Sequence, residues 1–185
     1  MIGSVARGDV RPSSDVDVVV LSPPSSSLIE EAIIAHGFEI VKREIVMATP
    51  LSPVKGIIHL TDKASITLIL SKPTRLDLEF LRFAGSVGRE EIGKGVRVPG
   101  VNKQLRLIRP TPRGHLETAI VGREFEVARF LGISVELVRE RVRALSERRG
   151  RSVFISREVP PGESIESFAW KLASQVPAIR RRLLC

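Results

Sequence analysis

The stretch that decides the fold opens the chain and reads Gly3-Ser4-Val5-Ala6-Arg7-Gly8-Asp9, then Ser14-Asp15-Val16-Asp17-Val18-Val19-Val20. It predicts a tight turn into a short helix, a polar loop over residues 9–14, and a strand over residues 16–21 filled with β-branched side chains. Asp15 and Asp17 are two residues apart at the start of that strand, so both side chains leave the same face. The same alternation places Val16, Val18 and Val20 on the opposite, core-facing side.

The paired carboxylates indicate a bound cation. Two ionised groups on one face repel each other unless a cation lies between them, and hard oxygen ligands favour Mg²⁺ completed by substrate phosphates. Gly3 and Ser4 suit the same substrate, because glycine allows close backbone approach and the N–H groups of a helix start bind phosphate oxygens. Arg7, one turn further on, could pair with a phosphate through two hydrogen bonds.

Together these residues resemble the nucleotidyltransferase superfamily of the DNA-polymerase-β type, in which Gly-Ser is followed at this spacing by Asp-x-Asp and an apolar strand. They are most similar to minimal nucleotidyltransferases, whose pattern G-S-x-A-R-G-[DE] and S-D-x-D is met over residues 2–21. The resemblance implies transfer of a nucleoside monophosphate from an NTP, expected to be ATP, to a hydroxyl. It also implies one or two Mg²⁺ ions. Asp15 and Asp17 would be catalytic metal ligands, and Gly3, Ser4 and Arg7 would bind nucleotide.

A third carboxylate comes from a neighbouring strand in this family. The candidates are Asp77 and Glu79, in Leu76-Asp77-Leu78-Glu79-Phe80. As a strand, this segment places both acids on one face, although the apolar spacing of residues 76–83 also fits a helix. We expect Asp77 to be the third catalytic metal ligand, with Glu79 as the alternative. The competing interpretation makes both acids solvated surface groups.

The pattern departs from the family at its start. Only Met1 and Ile2 precede Gly3, whereas family members enter Gly-Ser from an apolar strand. We therefore expect either a further segment upstream or a sheet that lacks its first strand. A missing strand would expose an edge that other elements, or a second copy in a homodimer, would cover. A later segment, residues 85–90, echoes residues 3–9 without a following Asp-x-Asp, and is predicted to be a flexible loop.

The remaining pattern predicts an α+β fold, with a mixed β-sheet and flanking helices, and a domain boundary near residue 112. The domains would then be residues 1–112, a nucleotidyltransferase domain, and residues 113–185. Further elements of the first domain are a helix over 28–36 capped by Ser27, and strands over 38–48, 57–60, 66–70 and 104–108. Residues 84–103 are predicted to be a loop, and residues 110–114 a break.

Charge distinguishes the two halves of the chain. Residues 1–100 hold 12 Lys+Arg and 12 Asp+Glu, whereas residues 101–185 hold 17 and 9, so the whole net charge of +8 lies in the second half. Such asymmetry favours contact with a polyanion. Arg outnumbers Lys by 22 to 7, and Tyr is absent. The alternative interpretation is that these biases reflect the base composition of the source genome or a thermophilic source.

The second half predicts a basic, winged helix-turn-helix-like domain. Helices over residues 123–131 and 135–147 flank Gly132, Ser134 caps the second helix, and a strand over 153–159 could serve as a wing. Four arginines share the exposed face and could contact double-stranded DNA: Arg139, Arg141, Arg143 and Arg148. The alternative is a helical pair packed on the first domain, with these arginines solvated or paired to glutamates.

Several classes of protein are disfavoured. No apolar run approaches the ~18 residues of a membrane span, and no signal peptide is apparent, so a cytoplasmic protein is expected. The single cysteine, Cys185, leaves no internal disulfide or cysteine zinc site. His36, His59 and His115 lack partners at metal-ligand spacing and are interpreted as structural. Trp170, in a predicted helix over residues 165–175, is expected in the core.

Two functional hypotheses follow. The first is a Mg²⁺-dependent nucleotidyltransferase fused to a helix-turn-helix domain, with a protein, nucleic-acid or small-molecule hydroxyl as acceptor. Minimal members of the family often pair with a second protein, so the resemblance makes a partner protein a plausible acceptor. The second is a non-catalytic DNA-binding regulator that uses the first domain as a nucleotide sensor or dimerisation unit.

Overall fold

The structure, a computed structural model, describes residues 1–61, 63–147 and 153–184 and has an α+β fold. Its helices are α1 (Ser4–Arg7), α2 (Ser26–Ala35), α3 (Arg75–Ala84), α4 (Arg89–Gly93), α5 (Glu124–Leu131), α6 (Val135–Ser146), α7 (Ile165–Gln175) and α8 (Pro177–Leu184). Its strands are β1 (Val16–Val20), β2 (Ile40–Met47), β3 (Lys55–Leu60), β4 (Ala64–Ile69), β5 (Gly100–Val101), β6 (Arg106–Thr111), β7 (Gly114–Ala119) and β8 (Ile155–Glu158).

The chain divides into two compact units, and each is discontinuous in sequence. Residues 1–16 and 75–151 form one, here called the helical unit, and residues 17–74 and 152–185 form the other, here called the sheet unit. The division crosses β1 immediately after Val16. Residue 112, the predicted domain boundary, lies between β6 and β7, which pair as an antiparallel hairpin inside the helical unit.

The sheet unit is built on a mixed sheet of five strands in the order β1-β4-β3-β2-β8. β2, β3 and β4 follow one another as antiparallel neighbours, and β8 returns from much later in the chain to pair antiparallel with β2. The predicted strands near 16–21, 38–48, 57–60 and 66–70 are therefore confirmed. The pairing of β8 corrects its interpretation as a wing, because its backbone partner is β2, from Glu44 to Met47.

The two faces of this sheet differ sharply. Ile45, Met47, Ile58 and Leu68 are buried on one face, against apolar side chains of α2, α7 and α8. Gly56 lies among them, and a Cβ at this position would overlap with Ile165 of α7. The glycine thus lets α7 approach the sheet closely. The alternate positions of the same strands form the opposite, more polar face.

Two predictions about the helices of the sheet unit are wrong. The N-cap of α2 is Ser25 rather than Ser27, since the helix begins at Ser26, whose backbone N–H and hydroxyl both donate to Glu166 of α7 at 2.6 Å. Trp170 is 51% exposed rather than in the core, because α7 packs through its other face. By contrast, the helix predicted over residues 165–175 is confirmed, and the Ser164 hydroxyl caps it by accepting the N–H of Ser167.

The helical unit has its own core. A three-stranded sheet, β5-β6-β7, packs with α3, α5 and α6 around eight buried residues: Phe83, Val101, Leu107, Ile120, Val127, Ala128, Leu137 and Val138. β6 continues through Pro110, so the predicted break at residues 110–114 narrows to the hairpin turn after Thr111. The two helices predicted over 123–131 and 135–147 are confirmed, with Gly132 in the left-handed conformation (φ 64°) between them.

The segment 76–83 is helical, which corrects its interpretation as a strand. Glu79 and Phe83, one turn apart, are buried, whereas Leu76 and Leu78 are 49% and 43% exposed. Arg75 and Glu79 also form an ion pair at the i, i+4 spacing of a helix, 2.7 Å from Nε to Oε1. The alternation of apolar residues was too short to distinguish the period of a helix from the period of a strand.

Candidate functional site

The Gly3–Asp9 segment forms the predicted glycine turn and short helix. Gly3 adopts φ 83° and ψ −147°, and Gly8 adopts φ 84° and ψ 15°, conformations that L side chains rarely adopt. Between them α1 occupies Ser4–Arg7, and its first N–H groups have no partner within the helix by helix geometry. The N–H of Gly3 itself donates to the carbonyl of Gly85 at 3.0 Å. Phosphate binding at this turn would therefore use the N–H groups that follow Gly3.

The chain start pairs with residues 85–87, which corrects the prediction of a flexible loop there. Ile2 and Ser86 form an antiparallel bridge, and the N–H of Val87 donates to the carbonyl of Met1 at 3.0 Å. Gly85 is also tightly enclosed, since a Cβ on Gly100 would lie 2.5 Å from its nitrogen. The segment that echoes residues 3–9 thus serves as the backbone partner of the residues before α1.

Arg7 is buried, with 5% of its surface exposed. Its guanidinium donates to the carbonyl of Ala84 at 2.5 Å and pairs with Asp9, whose oxygens lie 3.0 and 3.1 Å from Nε and Nη2. These contacts tie α1 to the end of α3 inside the helical unit. The role of Arg7 in nucleotide binding stays a prediction, and the structure gives this side chain an internal role as well.

Asp15 and Asp17 lie on either side of the division between the units. Asp15 is exposed immediately before β1, and Asp17 is half-buried as the second residue of β1. Within the sheet unit, the Ser65 hydroxyl donates to Oδ1 of Asp17 at 2.9 Å, which orients this carboxylate. Across residues 1–61, 63–147 and 153–184, no group of three His, Cys, Asp or Glu side chains is placed to hold a metal ion. A cation at these aspartates would need waters or phosphates as further ligands.

The two candidates for a third carboxylate lie on α3. Residues two apart in a helix do not share a face, so Asp77 and Glu79 point in different directions. Asp77 is partly exposed, and its role as a ligand stays a prediction. Glu79 is buried and accepts hydrogen bonds from the Ser134 hydroxyl and N–H, at 2.5 and 3.0 Å. These bonds and the Arg75 guanidinium outweigh the effect of burial and lower the pKa of Glu79 to about 2. The hydrogen bonds of Glu79 therefore join α3 to the start of α6.

A charged cluster that was missed in the sequence lies on the polar face of the sheet unit. Glu44, 9% exposed, accepts hydrogen bonds from His59 Nε2 at 2.7 Å, Ser156 Oγ at 2.9 Å and Lys42 Nζ at 3.2 Å. Burial opposes the ionisation of Glu44, but these three donors outweigh it and hold its pKa below the ordinary value. The signal available in the sequence was the charged run Lys42-Arg43-Glu44 inside an otherwise apolar strand.

The arginines predicted to contact DNA are not all free on the surface. Arg139 stacks on the ring of Phe125, 4.8 Å from its centroid, and Arg141 stacks on Phe80 at 5.2 Å. Arg143 is exposed, and Arg148 lies outside the described residues. DNA binding by this face stays a prediction.

None of the helices that the structure describes is long and apolar enough to cross a membrane.

Comparison with known protein families identifies one part of the chain. Residues 1–70 match the family model of the nucleotidyltransferase domain, and the matched segment contains the turn at Gly3, Asp15 and Asp17. Comparison with curated proteins found no match, and comparison with solved structures also found none. The family match supports placing residues 1–70 in the nucleotidyltransferase superfamily.

Proposed function

We propose that this protein is a Mg²⁺-dependent nucleotidyltransferase that transfers a nucleoside monophosphate from an NTP to a hydroxyl acceptor. The observation that carries the proposal is the family match over residues 1–70, which contains both halves of the motif, Gly3-Ser4 and Asp15-Val16-Asp17. The local conformation of each half supports the proposal. Gly3 supplies a glycine-only turn into α1, and Asp17 stands at the start of a strand.

The donor set at the aspartates suits Mg²⁺. Both residues offer hard carboxylate oxygens, and the hydroxyl of Ser65 holds one oxygen of Asp17 in place, as outer-shell partners do for metal ligands. Asp15 and Asp17 would hold the ion, which when bound would neutralise charge on the triphosphate and orient it. Asp15 is exposed and accessible to substrate, whereas Asp17 is half-buried and fixed.

The start of α1 would hold the substrate phosphates. Backbone N–H groups without intrahelical partners and the hydroxyl of Ser4 are the donors that phosphate oxygens accept. The turn that presents them is rigid, because the N–H of Gly3 is bound to Gly85 and its carbonyl to the N–H of Arg7, both at 3.0 Å. Rigid donors lose little entropy when they bind substrate.

The test is Mg²⁺-dependent transfer of label from an α-³²P-labelled NTP, measured together with pyrophosphate release, for each of the four NTPs. Asp15→Asn and Asp17→Asn should abolish both signals, and chelation of the metal should do the same. Ser65→Ala should reduce the rate by about 10–100-fold, because it removes only the outer partner of Asp17.

A matched control is Glu31→Gln, which neutralises an exposed acid on α2 and should leave the rate unchanged. Release of pyrophosphate by the Asp15→Asn/Asp17→Asn double variant at the parent's rate would rule out the proposal. So would a parent protein that uses none of the four NTPs.

A further inference from the structure

The sheet face that carries Asp17 also carries a histidine–carboxylate pair. His59 of β3 lies directly opposite Ser65 of β4 in the antiparallel register, and Ser65 donates to Asp17. Residues directly opposite each other in an antiparallel pair have side chains on the same face. Asp17, Ser65 and His59 therefore form a row across three adjacent strands of the sheet unit.

The row continues to Glu44 on β2, whose Oε1 lies 2.7 Å from His59 Nε2. Two strand spacings separate β1 from β3, so the backbones at Asp17 and His59 are about 10 Å apart. A ligand that is bound at Asp17 and spans this distance would contact the imidazole of His59.

The hydrogen bonds of Glu44 decide which nitrogen of His59 carries the proton. Glu44 accepts from His59, Lys42 and Ser156, and these bonds lower its pKa, so it is an ionised acceptor. An ionised carboxylate cannot donate, so Nε2 of His59 carries the hydrogen in this contact. The neutral imidazole then has its lone pair on Nδ1. The side chain of His59 is 37% exposed, so a substrate can approach it.

Other charged groups of the sheet unit face the same side. Lys42 lies opposite His59 on β2, and Glu158 of β8 lies opposite Glu44. Lys55 lies on the same face of β3 as His59, because the two are an even number of residues apart. Asp17 lies on β1, on the far side of β4. The polar face thus carries charges of both signs around a single imidazole.

We propose that His59 is the general base for the acceptor hydroxyl in the transfer reaction, and that Glu44 is its positioning residue. The inference rests on the proposed function. In the step, Nδ1 of His59 takes the proton of the acceptor hydroxyl while that oxygen forms a bond to the α-phosphorus. The bond from the α-phosphorus to the bridging oxygen breaks, and pyrophosphate leaves with the electron pair. The same arrangement, a base oriented by a buried carboxylate, serves other hydroxyl nucleophiles.

The sequence offered Asp77 and Glu79 as a third carboxylate, which by resemblance to the family could ligate a second metal ion or act as the base. Both lie on α3 rather than on a strand, and Glu79 is occupied by Ser134 and Arg75. His59 lies on a strand of the same sheet as Asp17, two positions away from β1.

The first test uses the three histidines of the chain as separate NMR signals. In protein labelled at histidine, addition of Mg²⁺ and the α,β-methylene analogue of the NTP that the parent uses should shift the His59 ring signals. His36 and His115 serve as internal references and should not move. The His59 shift should vanish in Asp17→Asn. A His59 signal that stays in place while the analogue binds, as measured by calorimetry, would overturn the inference.

The second test measures the pH dependence of pyrophosphate release. His59→Gln should lower the rate by about 10²–10⁴-fold, and the fall in rate at acidic pH should disappear with the titrating base. Affinity for the analogue should be unchanged. Glu44→Gln should lower the rate less and move the acidic limb, because the imidazole loses its charged partner. His36→Gln, an exposed control on the turn after α2, should match the parent.

The outcomes separate the two proposals. Failure of the parent protein to release pyrophosphate from any NTP would reject the proposed function itself. An active parent whose His59→Gln variant keeps the parent's rate and acidic limb would reject only the base assignment. Thermal unfolding of each variant identifies any loss of fold, and the NMR test on the parent protein then decides.

Discussion

Glu79 of α3 caps the start of α6 by accepting both the hydroxyl and the backbone N–H of Ser134 on one oxygen, Oε2. Its other oxygen, Oε1, accepts from Arg75 at 2.7 Å. The carboxylate is thus fully engaged at the junction of two helices that are distant in sequence. This arrangement explains why a residue that resembled a metal ligand in the sequence is a structural residue in the fold.

Replacement of this carboxylate should destabilise the helical unit. Glu79→Gln keeps the shape of the side chain but removes its charge, so the bonds to Ser134 weaken and the pairing with Arg75 is lost. We expect a loss of about 1–3 kcal/mol in the free energy of unfolding, measured by urea denaturation. Glu90→Gln on α4, where the acid is exposed, should change it by no more than about 0.5 kcal/mol. Equal effects of the two changes would contradict this role for Glu79.

The same residue should make stability depend on acidic pH. Its pKa falls from an ordinary 4.5 to about 2 in the folded protein, so folding favours the ionised form. This contribution is present above pH 4.5 and is lost as pH falls from 4.5 toward 2. The difference in unfolding free energy between the parent and Glu79→Gln should therefore shrink over that window. A difference that stays constant from neutral pH down to pH 2 would show that the charge is not involved.

Arg7 should matter for stability apart from any contact with nucleotide. Arg7→Ala would leave Asp9 and the Ala84 carbonyl without their buried partner, and loss of one member of a buried pair costs about 3–5 kcal/mol. Arg7→Ala combined with Asp9→Asn should cost less than the sum of the single changes, because the pair is removed together. Arg11→Ala, at an exposed position, is the control. An Arg7→Ala protein of unchanged stability that binds nucleotide less tightly would favour a phosphate role alone.

Gly56 should resist substitution because of packing rather than backbone strain. A Cβ here would overlap with Cγ2 of Ile165, so Gly56→Ala should push α7 away from the sheet. Overpacking of this kind costs about 1–3 kcal/mol. Gly114→Ala, at a strand glycine with nothing within 4 Å of the new atom, is the matched control. Thermal unfolding should separate the two variants clearly, and equal midpoints would refute close packing of α7.

Trp170 is the single tryptophan of the chain, so its fluorescence reports one position. At 51% exposure the indole should be quenched by acrylamide in the folded protein, though less strongly than in urea. Trp170→Ala should lower the unfolding free energy by less than the ~3–5 kcal/mol that truncation of a fully buried aromatic side chain costs. A well-shielded indole in the folded protein would mean that another surface covers this face of α7.

Features that depend on near neighbours in the chain could be predicted from sequence. The glycine turn at Gly3, the alternation along β1, and the helices around Gly132 each follow from side chains a few residues apart, since helix and strand periods act at that range. The paired aspartates of the candidate site were found in the same way. Even so, the short segment 76–80 fitted both the helix and the strand period, and its packing in the core of the helical unit favours the helix.

The tertiary structure decided which polar groups meet. Sequence spacing does not encode that β8 returns to β2, that residues 1–3 pair with residues 85–87, or that Glu79 reaches Ser134. The contact between His59 and Glu44 likewise depends on the register of β2 against β3. Such pairings are set by long-range strand register and core packing. The sequence by itself therefore determined the motif and its local geometry, while the fold determined the partner of each charged side chain.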